Sequence, residues 1–301
     1  MSENVTILDG GFSRELERLG APFRQPEWSA LALMETPELV EQAHIEFIKA
    51  GAEVITTNSY AVVPFHIGEE RFASDGRRLI ELSGALARSA ADKYPGVQVA
   101  GSIPPLFGSY QPEDFDAERA PALLAELVGG LAPHVDLWLI ETTSSIAEMA
   151  AAAEATASAP KPLWVAYTLE DDIPEQGAPK LRSGEAVRDA AAAAARCGAE
   201  AVLFNCSVPE VMEEALREAR AALPVSIRTG VYANAFGKPA SGMAANEGLS
   251  EMRRDLDPPA YVVWARKWRD MGASIIGGCC GISAAHIAVL AGALKDGDQS
   301  S

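Results

Sequence analysis

Four cysteines occur in 301 residues, and three of them stand where an apolar run ends. Cys206 closes the run Ala201-Val202-Leu203-Phe204-Asn205. The adjacent pair Cys279-Cys280 lies between Gly277-Gly278 and Gly281, after Ala273-Ser274-Ile275-Ile276. Successive residues of a regular strand point to opposite faces, so two neighbours that face one target must stand where the backbone leaves the extended form. Glycines on both sides permit such a bend. Three thiols converging on one point make a soft-metal site, and Zn²⁺ with one open coordination position is the expected ion.

The ligand type narrows the chemistry. Zinc sites that activate water draw mostly on histidine and carboxylate, which leave the metal electrophilic. Three thiolates leave it electron-rich, a poor acid for water but suited to a fourth thiolate, which it holds deprotonated at neutral pH. A free thiol, with a pKa of about 8.5, is only slightly ionised there. The chemistry expected is therefore thiolate attack on an electrophilic carbon. The bland alternative is three small buried hydrophobes, or a metal-buffering or redox-sensing site without catalysis. Gly277-Gly278 could instead cradle phosphate, a reading that leaves the two cysteines unexplained. Cys197, in Arg196-Cys197-Gly198, falls at a predicted helix end and reads as structural. His44, His66, His134 and His286 show no ligand spacing, and none is assigned a catalytic role.

Elements must bring distant cysteines together. Apolar strand-like runs at 5–8, 53–57, 97–101, 137–140, 163–168, 201–204, 225–231 and 274–276 alternate with helical segments. The helices fall near 37–50, 76–93, 117–130, 145–157, 185–197, 208–222, 258–271 and 283–294. Thr36-Pro37 and Ser207-Val208-Pro209 set a hydroxyl beside a first-turn proline, and Gly51, Gly198 and Gly272 stand where helices should stop. Eight such units predict a single-domain (β/α)8 TIM-type barrel over residues 1–295, with a frayed tail at 296–301. A doubly wound open sheet is the rival fold. In a barrel every strand's C-terminal end reaches one mouth, so Cys206 after strand 6 and the pair after strand 8 can share an ion.

The other strand ends then become candidates. Asp9 and Glu141 end strands 1 and 4, placed to hold an ammonium group. Gly10, Gly11, Tyr60, Asn205 and Asn234 stand at the same rim as substrate-binding candidates, and Tyr60 or Trp28 could hold a cation by the ring face for about 0.5–2 kcal/mol. Asp9-Gly10 could also be a plain turn, and Glu141 a helix-start charge.

The formal net charge of −17 argues against nucleic acid and anionic membrane as partners. No apolar run reaches the length of a membrane span and no secretory signal is visible, so a reducing cytoplasm is the expected compartment.

The chain resembles the homocysteine S-methyltransferase family, whose members are zinc-dependent barrels. The resemblance is carried by Asp9-Gly10-Gly11 with Glu15-Leu16, Trp28-Ser29, Ala50-Gly51-Ala52 before Thr56-Thr57-Asn58-Ser59-Tyr60, Asn205-Cys206, Tyr232-Ala233-Asn234-Ala235 and Gly277-Gly278-Cys279-Cys280-Gly281. It spans nearly the whole chain. It implies that Cys206, Cys279 and Cys280 bind zinc with homocysteine sulfur as the fourth ligand. It also implies that Asp9 and Glu141 hold the amino-acid end, with the backbone of Gly10 and Gly11 beside it. The implied reaction moves a methyl group from a sulfonium or quaternary ammonium donor (S-methylmethionine, S-adenosylmethionine or a betaine) to homocysteine, giving methionine. Another thiol could be the acceptor. Many relatives have proline where this chain has Ala233, and Ser102-Ile103-Pro104-Pro105 departs from the glycine-containing variant expected of S-methylmethionine users; both bear on the donor.

Overall fold

A computed structural model describes residues 5–172, 177–236 and 253–295. Eight strands run parallel: β1 (Thr6–Ile7), β2 (Val54–Thr56), β3 (Gln98–Ile103), β4 (Leu137–Thr143), β5 (Leu163–Tyr167), β6 (Ala201–Asn205), β7 (Arg228–Ala233) and β8 (Ala273–Gly278). They pair in the order β1-β8-β7-β6-β5-β4-β3-β2. The remaining gap is bridged by a parallel contact between Leu8 and Val54, with Glu53 N–H donating to Ile7 O at 2.8 Å and Asp9 N–H to Val54 O at 3.1 Å. The sheet is therefore a ring, and the open-sheet alternative is excluded. Strands covered by helices need no polar face, and β4, β5, β6 and β8 are buried along their whole length.

Eight outer helices follow the strands: α1 (Pro37–Lys49), α2 (Arg77–Ala91), α3 (Ala120–Leu131), α4 (Ile146–Thr156), α5 (Val187–Arg196), α6 (Met212–Ala222), α7 (Pro258–Asp270) and α8 (Ala284–Lys295). The helices close one apolar layer against the barrel, where Phe47, Leu79, Trp138, Tyr167 and Trp268 are fully buried. A second cluster, including Leu8, Val54, Leu139, Trp164, Leu203 and Ile275, fills the interior of the ring. The interior is packed, so the chemistry is pushed to the mouth. No helix among the described residues is long and apolar enough to cross a membrane.

Gly51, Gly198 and Gly272 do end helices, each at positive φ. Two expected caps are not made. Pro37 is the first residue of α1, but the Thr36 side chain forms no cap and its hydroxyl finds no partner. Ser207 turns its hydroxyl to Leu169 and Thr168 at the end of the neighbouring strand β5, and a short turn, Pro209–Val211, intervenes before α6. Strand 7 begins later than 225: Val225 is 89 % exposed, in the turn that follows α6. The expected tail at 296–301 lies outside the described residues.

Candidate active site

The three cysteines meet at the mouth. Cys206, Cys279 and Cys280 bring their sulfurs within 4.8 Å of one another. Cys206 leaves β6 in the left-handed region, at φ 51°. The pair after β8 is fixed by neighbours: Cys279 N–H donates to Ala233 O at 3.0 Å, and Cys280 N–H to Asn234 Oδ1 at 3.2 Å. Asn234 thus braces the metal-ligand candidates from β7. Gly281 has φ 85°, but Gly277 and Gly278 do not use positive φ. Their need is room: a Cβ on Gly278 would stand 2.1 Å from Ile282 Cγ2, and one on Gly277 2.4 Å from Leu8 Cβ.

Among themselves, without a cation, the thiols cannot all ionise. Cys206 accepts help from a hydrogen bond with Cys279, but its bond with Cys280 and burial outweigh this and push it up to about 12. Cys279 rises for the same reason, through its bonds with Cys206 and Cys280, and Cys280 falls.

Two buried carboxyls share the cavity. Asp9, directly after β1, is 6 % exposed, and its Oδ2 accepts the Thr56 N–H at 2.7 Å while Oδ1 accepts the Thr56 hydroxyl at 3.1 Å. Glu141, in β4, is 8 % exposed and accepts the hydroxyls of Ser102 and, at 3.3 Å, of Tyr232. Burial raises Asp9 to about 7; the Thr56 amide opposes this and the charge of Glu141 adds to it. Burial likewise raises Glu141 to about 7, with Ser102 and Tyr232 opposing and Cys206 adding. Two desolvated carboxyls that line one cavity, neither in an ion pair among the described residues, form a site for a cation that can donate hydrogen bonds.

The cavity, about 220 Å³, is lined by Asp9, Gly10, Gly11, Tyr60, Glu141 and Asn234 together with all three clustered cysteines. Tyr60 bonds Ser109 Oγ at 2.6 Å, and Trp28 lies on the same wall. Asn205 does not line it. Its amide instead brackets Thr142, taking the Thr142 N–H on Oδ1 at 3.1 Å and giving Nδ2–H to Thr142 Oγ1 at 2.9 Å. Cys197 is exposed at the end of α5, away from the cluster.

Several lining residues were not singled out from the sequence. Tyr110, Thr142, Asp171 and Arg182 all line the cavity, as do Tyr232, from the strand 7 motif, and His66, in a four-residue helix, Pro64–Ile67. Trp28, Tyr110, Thr142 and Cys206 are the non-glycine residues with positive φ among those described, and all four line the cavity. Backbone held in such a region is maintained by the surrounding structure and concentrates at functional sites.

The family model described as homocysteine S-methyltransferase matches residues 6–294. The chain belongs to that family. Homocysteine S-methyltransferase 1 of Brassica oleracea var. italica is 29% identical, with 96% of this chain and 93% of the relative covered. The homocysteine S-methyltransferase of Escherichia coli (strain K12) is 28% identical, covering 96% and 94%. The crystal structure of the homocysteine methyltransferase MmuM from Escherichia coli, in its metallated form, superposes with a TM-score of 0.76 at 29% identity over 96% of each chain. A member of the homocysteine S-methyltransferase family, this barrel is a methyltransferase.

Proposed function

We propose that the protein moves a methyl group from a sulfonium or quaternary ammonium donor to the sulfur of L-homocysteine, giving methionine, with Zn²⁺ held by Cys206, Cys279 and Cys280. One observation carries the reading: a three-thiol cluster and a pair of buried carboxyls line a single cavity. An amino acid with a thiol at its far end matches both.

The donor set fits zinc. The sulfurs are all soft, they are gathered at the spacing one ion with bonds of about 2.3 Å can draw together, and they resist joint ionisation without a cation. Bound there, Zn²⁺ supplies a position at which an incoming thiol gives up its proton at neutral pH. The chain's own residues do the rest. Asp9 and Glu141, once ionised, hold the homocysteine ammonium between β1 and β4. Thr56, Ser102 and Tyr232 fix those carboxyls by donating to them. As the new S–CH3 bond forms, the donor's C–S⁺ or C–N⁺ bond breaks and its electron pair leaves with a neutral thioether or amine. No general acid is required, and His66, pushed down to about 4 by burial against the pull of the Pro26 carbonyl, offers none. Holding both substrates in line can lower the barrier by about 7–11 kcal/mol. A reducing cytoplasm, where free thiols persist, is the compartment this chemistry requires.

The test is metal analysis of protein purified without chelator, followed by turnover with homocysteine, cysteine and glutathione against each donor. Zinc near one equivalent and preference for homocysteine are expected. Preference for another thiol, or full activity in metal-free protein, overturns the assignment.

A further inference from the structure

We propose that Arg182 anchors a carboxylate of the methyl donor, so that the donor carries an anionic group as well as its cationic centre. The inference rests on the methyl-transfer reading above and assigns the donor half of the same cavity.

Arg182 comes from the segment between β5 and α5, far in sequence from any ligand candidate, yet it lines the cavity with its side chain only 15% exposed. Its guanidinium is held rigidly. The Nε–H donates to Thr168 Oγ1 at 3.1 Å and Nη2 to Asp171 Oδ2 at 2.8 Å. Asp171 is itself fixed by the Val208 N–H, which donates to its other oxygen at 2.8 Å. The plane lies over the Tyr110 ring, 4.1 Å from its centroid. Tyr110 in turn is set at φ 70° and lines the cavity that holds the sulfur cluster. The fixed guanidinium and its aromatic platform thus share one cavity with the three thiols.

A guanidinium has five N–H donors. Two are spent, and among the described residues Nη1 has no hydrogen-bond partner. A half-used, pre-oriented fork in a desolvated wall matches a carboxylate, which it can take with two parallel bonds. The carboxyls proposed for the acceptor stand on other partners, Asp9 on Thr56 and Glu141 on Ser102 and Tyr232, and neither is bonded to Arg182. Asp171 already balances the guanidinium's charge, so the free edge recognises a donor carboxylate by directed hydrogen bonds rather than by net charge.

The test pairs each carboxylate donor with a neutral twin: S-methyl-L-methionine with its carboxamide, and glycine betaine with choline, using homocysteine and the zinc-loaded full chain. The wild type should favour the carboxylate member of at least one pair. Arg182→Gln should raise KM for that donor by about 10- to 100-fold, erase the preference, and leave the KM for homocysteine unchanged. Equal use of both twins by the wild type overturns the proposal without recourse to any variant. So does a rise in the homocysteine KM in place of the donor's, or a fall in kcat shared by both twins, which marks Arg182 as a strut for Tyr110. Failure of the methyl-transfer reading shows itself separately, as no methylated homocysteine with any donor. Calorimetric binding of the same twins to wild type and Arg182→Gln then still decides the anchor.

Discussion

Asp9 shows how burial turns an ordinary side chain into a ligand-dependent charge. Its carboxyl is raised from 3.8 to about 7, chiefly by desolvation. The folded state therefore binds this proton more tightly than the unfolded chain does. Stability of the ligand-free protein accordingly declines as pH rises between about 4 and 7 and levels off above. Binding of an ammonium has the opposite sign, because it needs the ionised form. Methionine, the proposed product, has the same amino-acid end and no thiol to titrate, so it isolates the effect. Its calorimetric affinity should fall by about tenfold per pH unit below 7, and a flat profile between pH 5 and 8 would remove Asp9 from the amino-acid subsite. Glu141, at about 7 under the same burial, should steepen the decline.

At the scale of elements, the turn after β8 is held by contact rather than by unusual dihedrals. Replacing Gly278 with alanine drives a Cβ into Ile282, which would have to move with the cysteine pair it backs. Gly278→Ala should cost about 1–3 kcal/mol in chemical denaturation and weaken zinc in a chelator competition. Adding Ile282→Ala should restore part of the metal affinity, and no recovery would mean that the loss arises elsewhere. The cysteine trio was legible in the sequence because strand ends are legible: an apolar run that stops at a polar residue marks the mouth, and the barrel supplies the proximity. Asp9 and Glu141 were found the same way. Tyr110 and Arg182 were not, since they stand on long connections without periodicity. Positive φ at Tyr110 and Thr142 leaves no trace in residue type, as a glycine would. Asn205 was visible by its place at a strand end, but its orientation toward Thr142 instead of the cavity depends on that hidden backbone twist.

For the whole molecule, the proposed ion on Cys206, Cys279 and Cys280 would tie β6 to β8 across β7 and so link metal binding to folding. An ion that binds the native state alone stabilises it by mass action, by about 4 kcal/mol at a thousandfold excess over Kd. Thermal unfolding of the zinc-loaded protein should shift downward by several degrees on addition of a chelator, whereas Cys280→Ser should unfold at one temperature with or without it. A chelator effect of the same size in Cys280→Ser would place the stabilising ion at another site.

The ring itself is sealed by little. β1 has two residues, and the join to β2 is continued by Asp9, which takes the Thr56 amide on its side chain and the Gly278 amide on its backbone oxygen. The residue proposed to greet the amino acid is also the latch of the cylinder. Occupancy of the pocket should therefore be read as a tightening at the seam: amide hydrogen exchange at Thr56 and Gly278 should slow when methionine is bound, while amides in the middle of β5 and β6, far around the circumference, keep their rates.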